Sequence, residues 1–287
     1  MEAYAYADAI VSTDDVVEII GDTEHYRIIE ADENPLLYAA GHIPGAVQVD
    51  WITNFLHPVM RDLITPTDFA RLCSALGITP DMTVIFYGDQ SNWWACHALW
   101  VFNYFGHTHC RIMDGGRTKW FNEGKLISWE VPTYPQTDYP TPSFNGAIRA
   151  YRDDVIAHIK RGGKLIDVRS KAEYDGLITH PADYPTEAAI CAGHIPGAVN
   201  IPWSTALSSD GTFKTAKELE KIYCADTGFN TNDDIIVYCR IGERSSHTWF
   251  VYYLRTYVTT MAHGPNGEIL SLYRSSEQSS DAPRNYA

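Results

Sequence analysis

A long internal repeat limits what this chain can fold into more than any other feature. Gly41-His42-Ile43-Pro44-Gly45-Ala46-Val47 recurs letter for letter as Gly193-His194-Ile195-Pro196-Gly197-Ala198-Val199, 152 residues further on. A hydrophobic run follows each copy, Val84-Ile85-Phe86-Tyr87-Gly88 in the first and Ile235-Ile236-Val237-Tyr238-Cys239 in the second, 151 residues apart. Copies that hold register over such a distance imply two like units in tandem. The 287 residues suit two units, because a single hydrophobic core stops growing near about 250 residues.

The repeat sets the expected boundaries: one domain over 1–127, a linker over 128–146 and a second domain over 147–254. The linker carries Pro132, Pro135, Pro140 and Pro142, which suit neither a helix nor a central strand. Within each half, short β-branched runs (Tyr26 to Glu30 and Thr83 to Tyr87; Lys164 to Val168 and Asp234 to Tyr238) alternate with helical patches. Thr65-Pro66 and the capping box Thr215 to Glu218 open two of those helices. The fold class expected is therefore α/β, two tandem domains that are each a mainly parallel sheet with helices on both faces. Ligands of such sheets bind beyond the carboxyl ends of the strands, and Cys239 stands at one such end.

The formal charge of −14 argues against a nucleic-acid or anionic-membrane surface, since phosphate binding depends on clustered Lys and Arg. No run approaches the roughly 20 apolar residues of a spanning helix, and the first fifteen residues lack a basic, then apolar, leader pattern. A cytoplasmic protein is expected, with no membrane or nucleic-acid partner. The six cysteines form no CxxC pair, which suits a reducing compartment and no metal site.

The segment from Ile235 to Val251 reads as buried strand, tight loop and helix. A cysteine on the last turn before a helix meets unpaired backbone N–H groups, which lower a thiol's pKa and hold anions. Arg240 and Arg244 add local positive charge that the acidic remainder of the chain lacks. Taken alone, Cys239 would more often be a buried, inert thiol. The flanking Arg, Gly and helix start favour a reactive one.

Both GHIPGAV segments, the strand, Cys, loop and helix, and the strand end Ile166-Asp167-Val168-Arg169-Ser170 resemble the rhodanese family over nearly the whole chain. Cys239-Arg240-Ile241-Gly242-Glu243-Arg244 is similar to the six-residue active loop of thiosulfate sulfurtransferases. The resemblance implies a double displacement without a cofactor. Cys239 takes the outer sulfur of thiosulfate, sulfite leaves, and the Cys239 persulfide passes its sulfur to cyanide or a thiol. The partners implied are a small anionic sulfur donor and a thiol or cyanide acceptor. Arg240, Ile241, Gly242, Glu243, Arg244 and Ser245 would bind the donor. Asp167 and Arg169 would either brace the loop as an ion pair or sit as surface charges. With the thiolate already formed no general base is needed, and none is assigned to His247. Domain one has Gly88-Asp89 where domain two has Cys239-Arg240, so it is expected to be inactive. Its expected task is to cover the active face, with Trp93 and Trp94 at the interface. His42 and His194 read as structural.

Three other functions fit parts of the pattern. Arg240 favours thiosulfate over 3-mercaptopyruvate, while Ile241 stands where many thiosulfate-type loops carry a second base. A Cys-dependent phosphatase would space its Arg as C-x5-R, against C-x4-R from Cys239 to Arg244. A non-catalytic rhodanese-like binding module would not need Cys239.

The end of the chain departs from the repeat. Domain one continues through Met113-Asp114-Gly115-Gly116-Arg117-Thr118-Lys119-Trp120, and domain two has no such motif after Thr256. Synonymous codons for Tyr257 to Glu268, read one nucleotide earlier, can encode Val-Arg-Asn-Tyr-Asp-Gly-Ser-Trp-Thr-Glu-Trp, which resembles the family's usual ending. Residues 255–287 are therefore expected to be a frame-shifted tail that deprives domain two of its last strand and terminal helix.

Overall fold

The computed structural model describes residues 4–60, 62–184, 191–230 and 233–254, and the backbone of 259–262. Domain one runs β1 (Ile10–Val11), α1 (Thr13–Ile19), β2 (Tyr26–Glu30), α2 (Leu36–Ala39), β3 (Val47–Gln48), α3 (Pro66–Ala75), β4 (Thr83–Tyr87), α4 (Trp93–Tyr104), β5 (Cys110–Met113) and α5 (Gly116–Asn122). Domain two repeats the series with β6 (Arg149–Ala150), α6 (Arg152–Lys160), β7 (Lys164–Asp167), α7 (Lys171–Tyr174), β8 (Val199–Asn200), α8 (Ala216–Glu220), β9 (Ile235–Tyr238), α9 (Glu243–Leu254) and β10 (Thr259–Ala262). The two sheets have matching orders, β1-β5-β4-β2-β3 and β6-β10-β9-β7-β8, and every pairing in them is parallel.

The capping signals act where the sequence places them. The Thr65 hydroxyl accepts the Asp68 N–H ahead of Pro66, and Thr215 and Glu218 bond reciprocally at the start of α8. The repeated GHIPGAV segment is a turn pinned from both sides. Tyr87, at the end of β4, accepts the Ile43 N–H with its hydroxyl at 3.0 Å, and Tyr238, ending β9, accepts that of Ile195 at 3.1 Å. His42 and His194 stack on Tyr38 and Tyr174, and each meets that tyrosine's carbonyl through Nδ1. Both histidines therefore serve the turn and face no ligand.

β10 corrects the expectation that domain two lacks its last strand. Thr259–Ala262 lies between β6 and β9, in the place β5 holds in domain one. Parallel pairing draws on backbone bonds and a short β-prone run, and Thr-Thr-Met-Ala supplies one whatever its reading frame. The remainder of the predicted tail, 255–258 and 263–287, lies outside the described residues.

The domains meet along α4 and α9, the helices that follow the two loops, and all of α4 is buried. Polar ties flank that contact. Asp114 accepts the Phe213 N–H at 2.9 Å, Arg149 pairs with Asp62, and the Tyr4 hydroxyl donates to the Lys214 carbonyl. The carboxyl edge of the second sheet is thereby turned toward domain one.

Candidate active site

Cys239 follows the last residue of β9 and is 3% exposed. The chain reverses at Gly242, whose φ of +113° lies in the region that favours glycine, and α9 begins one residue later. This reversal points the Gly242 N–H at the Cys239 Sγ from 3.1 Å, while the Ser245 hydroxyl lies 3.5 Å from the same sulfur. Sγ in turn donates to Glu243 Oε2 at 3.3 Å. Glu243 and Ser245 are buried, and Ile241 is half-buried.

A second carboxylate organises the two arginines. Glu173 closes the capping box of α7 with Ser170, and it also receives the Arg244 fork, Nη1 at 2.8 Å and Nη2 at 3.1 Å. Arg244 Nε reaches Glu243 Oε1 at 3.2 Å. Arg240 lies 3.6 Å from Glu173 and 3.9 Å from Glu243. Two guanidinium groups thus face two carboxylates, so the positive charge expected around Cys239 is balanced rather than in excess.

Burial pushes the Cys239 thiol above its usual range, and Glu243 adds to the push. Arg244 and Ser245 pull the other way without cancelling it. The expected depressed pKa is thereby corrected: the backbone donors of Gly242 and Ser245 and a compensated arginine do not offset full desolvation and an adjacent carboxylate. For Glu173 burial would also raise the pKa, but Arg244 and Ser170 outweigh it and hold the carboxyl below its usual range.

Next to the loop lies a cavity of about 220 Å³ whose lining includes Ser170, Glu173, Arg240 and Arg244 together with Trp93, Tyr184 and Trp203. Trp93 comes from domain one and packs against Trp203 at 5.3 Å and Tyr184 at 6.1 Å. Trp94 instead stacks on Trp51 inside its own domain, so only the first of the two expected interface tryptophans faces the site. His247 is buried against Phe213 and Trp203, and burial lowers its pKa to about 3, which leaves a neutral packing ring.

Asp167 and Arg169 form a fully buried ion pair at 2.6 Å. Arg169 Nη2 also donates to the Gly193 carbonyl at 2.7 Å, which ties the pair to the GHIPGAV turn. Domain one meets the same need from another place in the chain. Arg117 of α5 donates to the Gly41 carbonyl and pairs with Glu30 at 2.6 Å.

Loss of a sulfur atom is only part of what distinguishes the matching loop of domain one. A Cβ added at Gly88 would fall 2.0 Å from the Ala31 carbonyl oxygen. Gln90, Ser91 and Asn92 all take positive φ, and the Asn92 side chain ties Gly88 N–H to the Met113 carbonyl. Asp89, where domain two has Arg240, accepts the N–H groups of Glu33 and Asn34. Glu173, Tyr184 and Trp203 were not predicted as site residues. Ser170-x-x-Glu173 is a capping box visible in the sequence, while nothing local to Tyr184 or Trp203 marks them.

Residues 12–123 and 152–267 each match the description Rhodanese-like domain. The chain belongs to the rhodanese family of sulfurtransferases. It is 53% identical over 252 residues to a Thermus thermophilus protein named Sulfur carrier protein TtuD, covering 86% of this chain and 88% of that one. It is 49% identical to a Mycobacterium tuberculosis protein named "Putative thiosulfate sulfurtransferase SseA", covering 88% of this chain and 83% of the other. Among solved structures it resembles SseA from Escherichia coli, described as a 3-mercaptopyruvate sulfotransferase, with a TM-score of 0.75 and 26% identity over 89% of this chain and 98% of that one. Among the described residues no helix is long and apolar enough to cross a membrane.

Proposed function

We propose that this rhodanese-type sulfurtransferase takes the outer sulfur of thiosulfate onto Cys239 and delivers it to a thiol or cyanide. The observation that carries the reading is the setting of Cys239. Its sulfur stands at a strand's carboxyl end within reach of a backbone N–H, and its loop neighbours Arg240 and Arg244 line the adjacent cavity. In the transfer the Cys239 sulfur bonds to the outer sulfur of thiosulfate, and the S–S bond of the donor breaks with its electron pair leaving on sulfite. Arg240 and Arg244 would offset the charge of the dianion, and the Gly242 N–H would support charge on the sulfur during transfer. The cavity is small enough to favour a compact donor, and its aromatic side leaves room for an acceptor to approach from the domain boundary.

The loop Cys239-Arg240 and the mycobacterial relative's name support thiosulfate. The likeness to the Escherichia coli protein supports a second reading, transfer from 3-mercaptopyruvate, whose carboxylate Arg240 could also receive. A phosphatase reading fits less well, because Cys239 and Arg244 are spaced C-x4-R and not C-x5-R. Mass spectrometry after thiosulfate treatment tests the proposal: Cys239 should gain one sulfur, and Cys239→Ser should gain none. No gain with either donor on the intact protein would leave the non-catalytic module as the better reading. Faster loading from 3-mercaptopyruvate would move the assignment to that donor.

A further inference from the structure

We propose that Glu243 is the proton acceptor and donor for Cys239, so that the sulfur is stored as a neutral thiol and ionised only when a donor arrives. The inference rests on the reading of Cys239 as the sulfur carrier and assigns a catalytic role within that site.

The geometry is specific. Glu243 is 3% exposed, its Oε2 accepts the Cys239 thiol at 3.3 Å, and its Oε1 is fixed by Arg244 Nε at 3.2 Å. Arg244 is itself anchored by both arms of its fork on Glu173, so the carboxylate has little freedom to leave the sulfur. The charged and titratable groups around the pair are Arg240 and Arg244 from the loop and helix, Glu173 from α7, and Tyr184 across the cavity. Domain one presents the uncharged Trp93, and its Glu33 and Asp89, together with Asp183, act on Tyr184. A thiolate formed while Glu243 stayed charged would set two negative groups 3.3 Å apart in a dry site. Moving the proton between them avoids that repulsion and leaves the total charge of Cys239, Glu243, Glu173, Arg240 and Arg244 unchanged when a dianion binds. The burial that keeps the resting thiol protonated is what creates the need for such an acceptor.

The steps balance. The Sγ–H bond breaks with its electron pair left on sulfur, and the proton bonds to Glu243 Oε2. Sγ then bonds to the outer sulfur of thiosulfate, the donor S–S bond breaks, and its pair leaves with sulfite. The proton on Glu243 passes to the terminal sulfur, giving a neutral persulfide. In the second half an acceptor thiol yields its proton to Glu243 as its sulfur bonds to the terminal sulfur. The Sγ–S bond breaks toward Sγ, which takes the proton back.

The test is single-turnover persulfide formation with thiosulfate across pH, followed by mass spectrometry, in the full chain and in Glu243→Gln and Glu243→Asp. Glu243→Gln should slow formation about a hundredfold or more near neutral pH. Its rate should then climb about tenfold per pH unit, because solvent must remove the proton, while the intact protein stays nearly flat. Glu243→Asp should recover part of the rate. Alkylation of Cys239 by iodoacetamide over the same range reports thiolate independently, and a solvent deuterium effect on the intact protein covers a Glu243→Gln variant that does not fold. If Glu243 merely raised the thiol's pKa by its charge, Glu243→Gln would load sulfur as fast or faster, and no deuterium effect would be seen. Either result overturns the inference. A failure of the intact protein to form any persulfide would overturn the sulfur-carrier reading itself, so the two failures are distinguishable.

Discussion

The two halves of this protein share a sheet order and a seven-residue turn, yet solve the problem of one exposed turn carbonyl differently. In domain one Arg117 reaches Gly41 from α5, after the last strand of its sheet, and is neutralised by Glu30. In domain two Arg169 reaches Gly193 from the end of β7, two residues beyond its partner Asp167. The difference shows that the second domain carries a tie to its turn at the end of its own β7. It also separates two meanings of a buried charge. Around Cys239 the carboxylates are matched by arginines, whereas at the Gly88 loop Glu30, Asp32 and Asp89 face one arginine, and burial pushes Asp32 up to about 9 and Asp89 up to about 6.

The contrast breaks most visibly at the nucleophile. Cys239→Ser should abolish sulfur uptake from thiosulfate, while Cys96→Ser, at a buried thiol on the matching helix of domain one, should leave it in place when uptake is read by mass spectrometry. Next come the two turn locks. Arg117→Ala and Arg169→Ala should each cost about 3–5 kcal/mol in denaturant unfolding by stranding a buried carboxylate. If domain two carries its lock locally, truncation after Ala262 should leave the Arg169→Ala penalty unchanged, and a larger penalty in the truncated chain would show that the tail supplies a substitute.

A smaller effect is expected from restoring sulfur to domain one. Gly88→Cys should destabilise by about 1–3 kcal/mol through overlap with the Ala31 carbonyl. It should take up no second sulfur, and uptake at position 88 would break the distinction between the halves. The smallest effect concerns pH. Asp32 has a folded pKa raised from 3.8 to about 9, so its contribution is full below the ordinary carboxylate range and is lost as pH rises toward 9. Glu173 has a folded pKa lowered from 4.5, so its contribution is present above that value and is lost as pH falls below it. Domain one should therefore loosen toward alkali and domain two toward acid. Asp32→Asn should flatten the alkaline slope by about 1 kcal/mol or more in hydrogen-exchange or denaturant measurements across pH.

The repeat, the alternation of strands and helices and the Cys239 loop were all legible in the sequence, because each follows from local chemistry: β-branched runs, caps and a glycine before a helix. What was not legible depends on distance in space. Glu243 could be seen as acidic, but that its carboxylate would turn back on the thiol depends on Arg244 and Glu173, the latter 71 residues away from Arg244. Asp167 and Arg169 share a strand face by their spacing, while their complete burial comes from the turn packed over them. Trp93 and Trp94 are neighbours in sequence, and only helix rotation sends one across the boundary and the other into its own core. The reading of a missing strand failed because it followed motif identity, whereas sheet pairing asks only for backbone and propensity.

The crowding at Gly88 also bears on the history of the duplication. One codon change could bring a cysteine to that position, but not the space for it, because the Ala31 carbonyl now occupies the volume and Asn92 ties the loop to the neighbouring strand. A lineage that restored the thiol first would lose stability without gaining turnover, and one that cleared the space first would gain nothing to select. If the first half acts as an inactive cover, its specialisation works as a ratchet: the step away from a cysteine is short, and the return requires several coordinated changes.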